Sequence, residues 1–299
     1  MGISLVKQAE IYLAIQIFVN QKHYPVTILC EIAGISRAAY YKWLHKDKSK
    51  NELQNEKISE FICEAYAEKD GILGYRQMTI KLRREQKLII NYKRIYRLMR
   101  ILGLKSVCRK RKHNYIKSTP EVTAENILNR QFKAEHTCEK WLTDVTEFKY
   151  GNYKKAYLSA ILDLADKSIV SYVIGSSNNN PLVFKTFDLA VKAHPGATPL
   201  FHSDRGFQYT NKIFKDKLDK EGMTQSMSRV GRCIDNGPME AFWGMLKSEM
   251  YYLHKFDNYE SLEKAVEDYI VYYNSKRYQK RLKSMTPLEY RGYLSSIVA

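Results

Sequence analysis

The chain has 299 residues, 44% of them hydrophobic, and a formal net charge of +17. This length allows two or three domains with a sizeable core. Five cysteines without a CxxC pair argue against a disulfide framework or a zinc site and favour a reducing cytosol. The apolar run 11–19 is short, and no small-residue cleavage site follows it. Neither a membrane span nor a signal peptide is therefore expected.

The positive charge is concentrated in the first part of the chain. Residues 1–120 hold 24 of the 49 basic residues but only 10 of the 32 acidic ones. Such a surplus can serve solubility alone. Its concentration in one region instead favours a polyanionic partner, because neutralising phosphates releases counterions. We therefore expect a nucleic acid as the partner.

The N-terminal region is predicted to be helical. Residues 5–22 form one helix, and residues 26–45 have the pattern of a helix-turn-helix with its turn at Gly34 and an N-cap at Ser36. The second helix would present Arg37, Tyr40 or Tyr41, and Lys42 to DNA. The alternative is an ordinary helical hairpin with the tyrosines in its core.

A second helical unit is predicted over residues 52–103. One of its helical segments begins around Gly74 and carries Arg76, and Asn91 caps a helix that ends at Gly103. This last helix concentrates basic residues within two turns, which favours phosphate contact over a solvated face. Its candidate DNA-binding residues are Lys93, Arg94, Arg97 and Arg100.

Residues 105–120 are the most basic run of the chain. They are predicted to form an interdomain linker that follows the DNA backbone, although a flexible solvated linker is the alternative. The candidate contacts are Arg109, Lys110, Arg111 and Lys112. Residues 121–139 are expected to be an irregular or short helical lead-in.

The remaining residues predict a mixed α/β domain followed by helices. Three strands at 141–150, 156–164 and 169–175 form an antiparallel meander, followed by helix 181–192, strand 198–203, helix 211–221, strand 224–227 and a helix from Pro238. The order βββαβαβα departs from a Rossmann alternation and matches the ribonuclease-H-like fold. Residues 256–299 are predicted to be helical.

Three acids occupy special places in this domain. Asp144 lies in the first strand, Asp204 ends the fourth strand, and Glu240 begins the last helix, with 35 residues between the second and third acids. Carboxylates delivered in this way suit two Mg²⁺ ions, for which Mn²⁺ substitutes. The two ions would serve an in-line phosphoryl displacement. Asp163 and Asp166 are rivals for the first position, and Asp235 is the rival for Glu240.

The motifs around these acids carry a family resemblance. In chain order they read WLTDVTEF, HSDRGFQY, DNGPMEAFWGMLKSE, YYNSKRYQKRL and TPLEY. The acids resemble the D,D(35)E pattern of transposases and retroviral integrases, and the ordered motifs resemble the catalytic protein of the IS3-family insertion-sequence transposases. The resemblance implies that the three acids are both catalytic residues and ligands of two metal ions. It also implies that Lys247, two helical turns after Glu240, contacts a DNA end.

The resulting hypothesis is a DNA transposase that cleaves and joins strands at the ends of an insertion sequence. Its partners would be terminal inverted repeats and target DNA, a homo-oligomer on DNA, and in some cases the product of an upstream open reading frame, in the bacterial cytoplasm at the nucleoid. A DNA-binding regulator without chemistry and a ribonuclease-H-type nuclease are the alternatives. The predicted domains are 1–50 and 51–112 for DNA binding, a linker at 113–137, the catalytic domain at 138–255 and a helical extension at 256–299.

Overall fold

The computed structural model describes residues 2–108, 125–229 and 233–298. They belong to two compact units, Met1–Phe61 and Ile62–Ala299. The finer domain boundaries given above stay predictions. Within the described ranges, no helix is both long enough and apolar enough to cross a membrane.

The first unit contains the predicted helix-turn-helix. Gly34 adopts a left-handed φ of +66° in the turn, a conformation that costs glycine little. Ser36 caps the next helix, because its hydroxyl accepts a hydrogen bond of 3.2 Å from the amide of Ala39. The buried residues Ile15, Cys30 and Tyr40 hold the helices together. These helices are α1 (Gly2–Lys22), α2 (Val26–Ile32) and α3 (Arg37–Leu44), and α4 (Lys50–Glu68) follows.

The second unit begins inside α4, at Ile62, and continues with a helical pair, α5 (Tyr75–Glu85) and α6 (Tyr92–Ile101). Asn91 caps α6, since its side chain accepts a hydrogen bond from the amide of Lys93 at 2.9 Å. Met78 of α5 and Ile95 of α6 are fully buried. The apolar faces of the two helices are thereby covered, and Lys93, Arg97 and Arg100 of α6 are exposed.

A five-stranded sheet forms the centre of the second unit. Its strands are β1 (Lys140–Tyr150), β2 (Lys154–Asp163), β3 (Ile169–Gly175), β4 (Leu200–Ser203) and β5 (Thr224–Met227). The first three pair in antiparallel fashion, whereas β4 pairs in parallel with β1, and β5 with β4. The order across the sheet is β3-β2-β1-β4-β5. This arrangement is the predicted ribonuclease-H-like α/β fold.

Helices cover both faces of the sheet. They are α7 (Asn180–Ala193) and α8 (Lys212–Lys220) on one face, and α9 (Gly237–Glu249) and α10 (Tyr259–Ser275) on the other. Successive residues of β1 alternate between the faces: Trp141 packs in the α7–α8 layer and Leu142 in the α9–α10 layer. Asp144 shares the face of Leu142, so its side chain is directed towards α9.

The last helices are part of this unit. Arg277, which follows α10, donates two hydrogen bonds of 2.8 and 2.6 Å to the carboxylate of Glu249 at the end of α9. The hydroxyl of Tyr269 donates a third hydrogen bond to this carboxylate at 3.0 Å. The side chains of Arg277 and Glu249 are only 10% and 13% exposed. The final helix is α11 (Pro287–Val298).

We expect Arg277→Met to lower the free energy of unfolding by about 3–5 kcal/mol, because it leaves a buried carboxylate without its partner. Urea denaturation of the full chain measures this loss. The matched control is Lys215→Met, which breaks an exposed 2.8 Å pair with Asp219 and should cost about 0.5 kcal/mol or less. Equal losses in the two variants would contradict the structural role of Arg277.

Candidate active site

Two of the three predicted acids come together through the parallel pairing of β1 and β4. In this pair Leu142 lies opposite His202. Asp144 lies two residues beyond Leu142 in β1, and Asp204 two residues beyond His202, just past the end of β4. Neighbouring strands are about 4.8 Å apart. The backbone register therefore places the two acids side by side.

The third acid is brought to this place by α9. Glu240 lies in the first turn of the helix and is exposed. Two hydrogen bonds join the α9 segment to β1. Asn236 donates from its side-chain amide to the carbonyl of Thr143 at 3.0 Å, and the indole N–H of Trp243 donates to Oδ2 of Asp144 at 2.9 Å. Glu240 lies between these two attachment points in the sequence.

The three acids interact through their charges. Burial, then the charge of Asp204, and to a smaller extent that of Glu240, raise the pKa of Asp144 to about 7. The N–H groups of Trp243 and Val145 act against this rise. Asp204 is exposed, but partial desolvation still raises its pKa, and the amide of Gly206 opposes the shift with a 2.8 Å hydrogen bond to Oδ1. Negative charge thus accumulates at this edge of the sheet.

The donor set fits hard divalent cations, because it offers carboxylate oxygens whose mutual repulsion a cation would relieve. Among the described residues, however, no three or more His, Cys, Asp or Glu side chains already stand in a metal-holding group. Both oxygens of Asp144 accept hydrogen bonds, at 2.8 Å from the amide of Val145 and at 2.9 Å from Trp243. Each oxygen keeps a lone pair for a further partner.

His202 serves the fold next to this site. Its ring is fully buried between the hydroxyls of Ser226, 2.8 Å from Nδ1, and Ser228, 3.1 Å from Nε2. Burial lowers its pKa to about 4, so the ring is neutral at physiological pH. Arg205 likewise binds the backbone, with a 2.7 Å hydrogen bond from Nε to the carbonyl of Ser228.

The rival acids are held by arginines. Asp235 is buried and accepts hydrogen bonds from Arg229 and Arg130, which hold its pKa well below its usual range. Asp163 and Asp166 are also buried, and both bind the guanidinium of Arg291, at 3.0 and 2.5 Å. These three carboxylates are committed to ion pairs within the protein.

The candidate DNA contacts fall into four groups. Arg37, Tyr41 and Lys42 are exposed on α3, whereas Tyr40 is buried. In the second unit, Arg76 of α5 and Lys93 and Arg97 of α6 are exposed, and Arg94 is half-buried. Lys247 is also half-buried, with its Nζ 5.4 Å from the centre of the Phe148 ring. Arg109, Lys110, Arg111 and Lys112 lie outside the described residues.

Trp243 is a residue of the candidate site that the sequence motifs alone do not identify. Its position three residues after Glu240 places it close to the same face of a helix, and this spacing was the available signal. Whether the indole N–H would find a carboxylate depended on the distant strand β1. The spacing alone could not show that partner.

Three family models match the chain. A model of an HTH-like domain covers residues 52–112, and two models of the integrase core domain cover residues 134–233 and 240–293. The two core matches together contain all three candidate acids. The fold and these matches define a protein with an integrase-type core and a helix-turn-helix-like domain, and they indicate DNA as its partner.

Two related proteins support this class of protein. InsK of Escherichia coli (strain K12), assigned as a transposase of insertion sequence element IS150, is 40% identical over 91% of this chain and 95% of its own length. The transposase of insertion sequence element IS904 from Lactococcus lactis is 31% identical over 84% of this chain and 100% of its own. This chain therefore belongs to the insertion-sequence transposases with an integrase core, a polynucleotidyl transferase type of enzyme.

Among solved structures, the catalytic core domain of HTLV-2 integrase in complex with magnesium aligns with a TM-score of 0.43 and 18% identity. The alignment covers 52% of this chain and 97% of that one.

We expect Asp144→Asn to unfold at a higher temperature than the wild-type chain at pH 8 in EDTA. The folded protein raises the pKa of Asp144 to about 7, so the carboxylate present at pH 8 opposes folding by about 1.4 kcal/mol per pKa unit. As the pH falls through 7 towards about 4, Asp144 becomes protonated in the folded wild-type protein before it does in the unfolded chain. The difference in unfolding temperature between the variant and the wild type therefore shrinks.

Differential scanning calorimetry between pH 5 and pH 8 checks this expectation. Asp216→Asn is the control, since Asp216 is an exposed acid on α8 and its replacement should give no gain that grows with pH. A stability difference for Asp144→Asn that stays constant across the range would show that its charge is not opposed in the folded state.

Proposed function

We propose that this transposase cleaves and joins DNA strands at the ends of its insertion sequence, with Asp144, Asp204 and Glu240 as the catalytic acids. The observation that carries the proposal is the parallel register of β1 and β4, in which Leu142 pairs with His202 two residues before each acid, together with the charges of Asp204 and Glu240 acting on Asp144. The raised pKa values of Asp144 and Asp204 mean that their ionised forms are costly to fold. Such a cost is expected at a functional site and has no structural benefit.

The three carboxylates would hold two Mg²⁺ ions, and Mn²⁺ would substitute for them. When bound, such a pair supplies charge stabilisation to the attacking and leaving oxygens of an in-line phosphoryl displacement. Asp144 would offer its oxygens from β1, Asp204 from just past the end of β4, and Glu240 from the exposed first turn of α9. Ion binding would draw these carboxylates closer together, since cations relieve their repulsion.

The reaction would have two steps. Each step exchanges one phosphorus–oxygen bond for another, so no external energy source is needed. In the first step, water attacks a phosphodiester at the element's end, the bond from phosphorus to the 3′-oxygen breaks, and a 3′-hydroxyl remains. In the second step, this hydroxyl attacks a phosphodiester of the target, so one phosphorus–oxygen bond replaces another. Lys247, on the same helix as Glu240, would contact the DNA end.

The basic residues of the helical regions would hold the DNA. Arg37, Tyr41 and Lys42 of α3 would contact one segment, and Arg76, Lys93, Arg94 and Arg97 a second. The basic run Arg109–Lys112 would follow the phosphate backbone between the helical region and the core. We also propose that the protein acts as a homo-oligomer on terminal repeats and target DNA, at the bacterial nucleoid.

We expect Asp144→Asn, Asp204→Asn and Glu240→Gln each to lose strand cleavage and strand transfer while DNA binding persists. The loss of activity should exceed about 100-fold, which is the effect of removing a residue that only hydrogen-bonds to a metal ligand. The substrates are labelled duplexes cut from the DNA flanking the gene, incubated with Mg²⁺. The control variant Asp216→Asn changes an exposed acid on α8 and should retain activity.

Full activity in any one of the three variants would remove that residue from the proposed set. A wild-type chain that binds these duplexes but never nicks them would instead favour the alternative of a DNA-binding regulator.

We expect the double change Lys93→Ala and Arg97→Ala to weaken binding to all duplex sequences to a similar degree. Each lost phosphate contact should reduce the slope of log K against log salt concentration by about 0.9. Fluorescence anisotropy over a range of NaCl concentrations measures this slope. Lys264→Ala, an exposed lysine on α10, is the control for loss of charge alone, and an equal effect there would argue against α6 as the contact surface.

A further inference from the structure

The hydrogen bond between Trp243 and Asp144 links two elements that both carry candidate acids. Asp144 belongs to β1, while Trp243 lies on α9 one turn after Glu240. The distance from the indole nitrogen to Oδ2 is 2.9 Å, which is ordinary for a charge-assisted hydrogen bond. This hydrogen bond therefore fixes the position of Asp144 relative to α9, the helix that carries Glu240.

The indole of Trp243 is held firmly by its surroundings. The side chain is 7% exposed and belongs to the core formed with Leu142, Leu246 and Val266. Its ring centre lies 5.0 Å from that of Phe242. Because the ring is fixed by packing, its N–H has one available direction, and this direction leads to the carboxylate of Asp144.

The chemistry of the donor suits a carboxylate that must stay ionised. An indole nitrogen donates and never accepts, so it favours the charged form of its partner. The amide of Val145 donates to the other oxygen of Asp144 at 2.8 Å. With one N–H on each oxygen, the plane of the carboxylate is fixed while each oxygen retains a lone pair. A phenylalanine would fill similar space but could not supply the hydrogen bond.

We infer that Trp243 is a positioning residue: its indole N–H orients the carboxylate of Asp144 for divalent-cation binding and fixes its separation from Glu240. This inference rests on the proposed function, since it assigns Trp243 a task within the same metal site. Trp243 itself touches neither the cation nor the DNA. It acts through Asp144, in the way that hydrogen-bond partners of metal ligands orient those ligands.

The test compares Trp243→Phe with Trp141→Phe in the full chain. Trp141 is fully buried on β1, and among the described residues its indole nitrogen has no oxygen or nitrogen partner. Both changes remove an indole from the core, but only the first removes a hydrogen bond to Asp144. Thermal unfolding of both variants establishes how much each change costs the fold.

Mn²⁺ binding, measured by the loss of the free-ion electron paramagnetic resonance signal, is the main readout. We expect Trp243→Phe to bind Mn²⁺ about 10–100-fold more weakly than the wild type, and Trp141→Phe to bind it with unchanged affinity. Strand cleavage by Trp243→Phe should recover as the Mn²⁺ concentration rises, because the ligands themselves are intact. Wild-type Mn²⁺ affinity in Trp243→Phe would overturn the inference.

A second measurement keeps the inference testable if Trp243→Phe fails to fold. The chain has three tryptophans, so its ¹⁵N-labelled form gives three indole resonances. In Asp144→Asn one of them should shift far more than the other two, and no such shift would overturn the inference. Asp144→Asn also separates the two proposals: if it binds Mn²⁺ as tightly as the wild type, the metal site assigned to Asp144 fails, irrespective of Trp243.

Discussion

The parallel pairing of β4 with β1 is the constraint on which the candidate active site depends. Leu142 faces His202 in this pair, so the backbone alone sets Asp144 beside Asp204. A slip of one residue would turn the side chains of β4 to the opposite face. His202 protects the register, because its buried ring is held by Ser226 of β5 and by Ser228 just beyond that strand. The histidine of the HSDRG motif thus secures the geometry on which the neighbouring acid relies.

Two sets of acids in the second unit differ in their partners. Asp163, Asp166, Asp235 and Glu249 are largely buried, and each binds a guanidinium. By contrast, the hydrogen bonds that Asp144 and Asp204 accept come from the N–H groups of Trp243, Val145 and Gly206. A buried ion pair fixes two elements relative to each other, whereas an acid without a guanidinium keeps its charge available to a cation. The protein thus uses carboxylate side chains for two purposes, some to connect elements of the fold and others to offer charge to a cation.

Much of the fold could be predicted because its signals are local. Ser36 and Asn91 were identified as caps from their place before an amphipathic run, and both cap their helices. The order of strands and helices followed from periodicity and from glycine and proline positions. The three candidate acids could be identified from the sequence because each of them lies within one of the family motifs.

The side-chain pairings across long distances were not predictable in this way. Arg291 reaches Asp163 across 128 residues of sequence, and Arg130 reaches Asp235 across 105. No periodicity relates such residues, since their contact is a product of the complete fold. The same reason explains why the sequence alone does not assign Trp243 to the site: an aromatic ring indicates a core position, and the partner of its N–H lies on a strand 99 residues away.

The ion pair between Glu249 and Arg277 determines how far the enzyme can be shortened. A fragment ending at residue 255 would keep all three candidate acids, but it would lose Arg277 and Tyr269, which bind the Glu249 carboxylate. It would also uncover Phe242, whose ring centre lies 4.8 Å from that of Tyr273. Because Arg291 of α11 binds the buried carboxylates of both Asp163 and Asp166, the smallest self-sufficient catalytic fragment must extend into α11. Proteolytic trimming from the C-terminal side would therefore inactivate the protein well before it reached any of the acids.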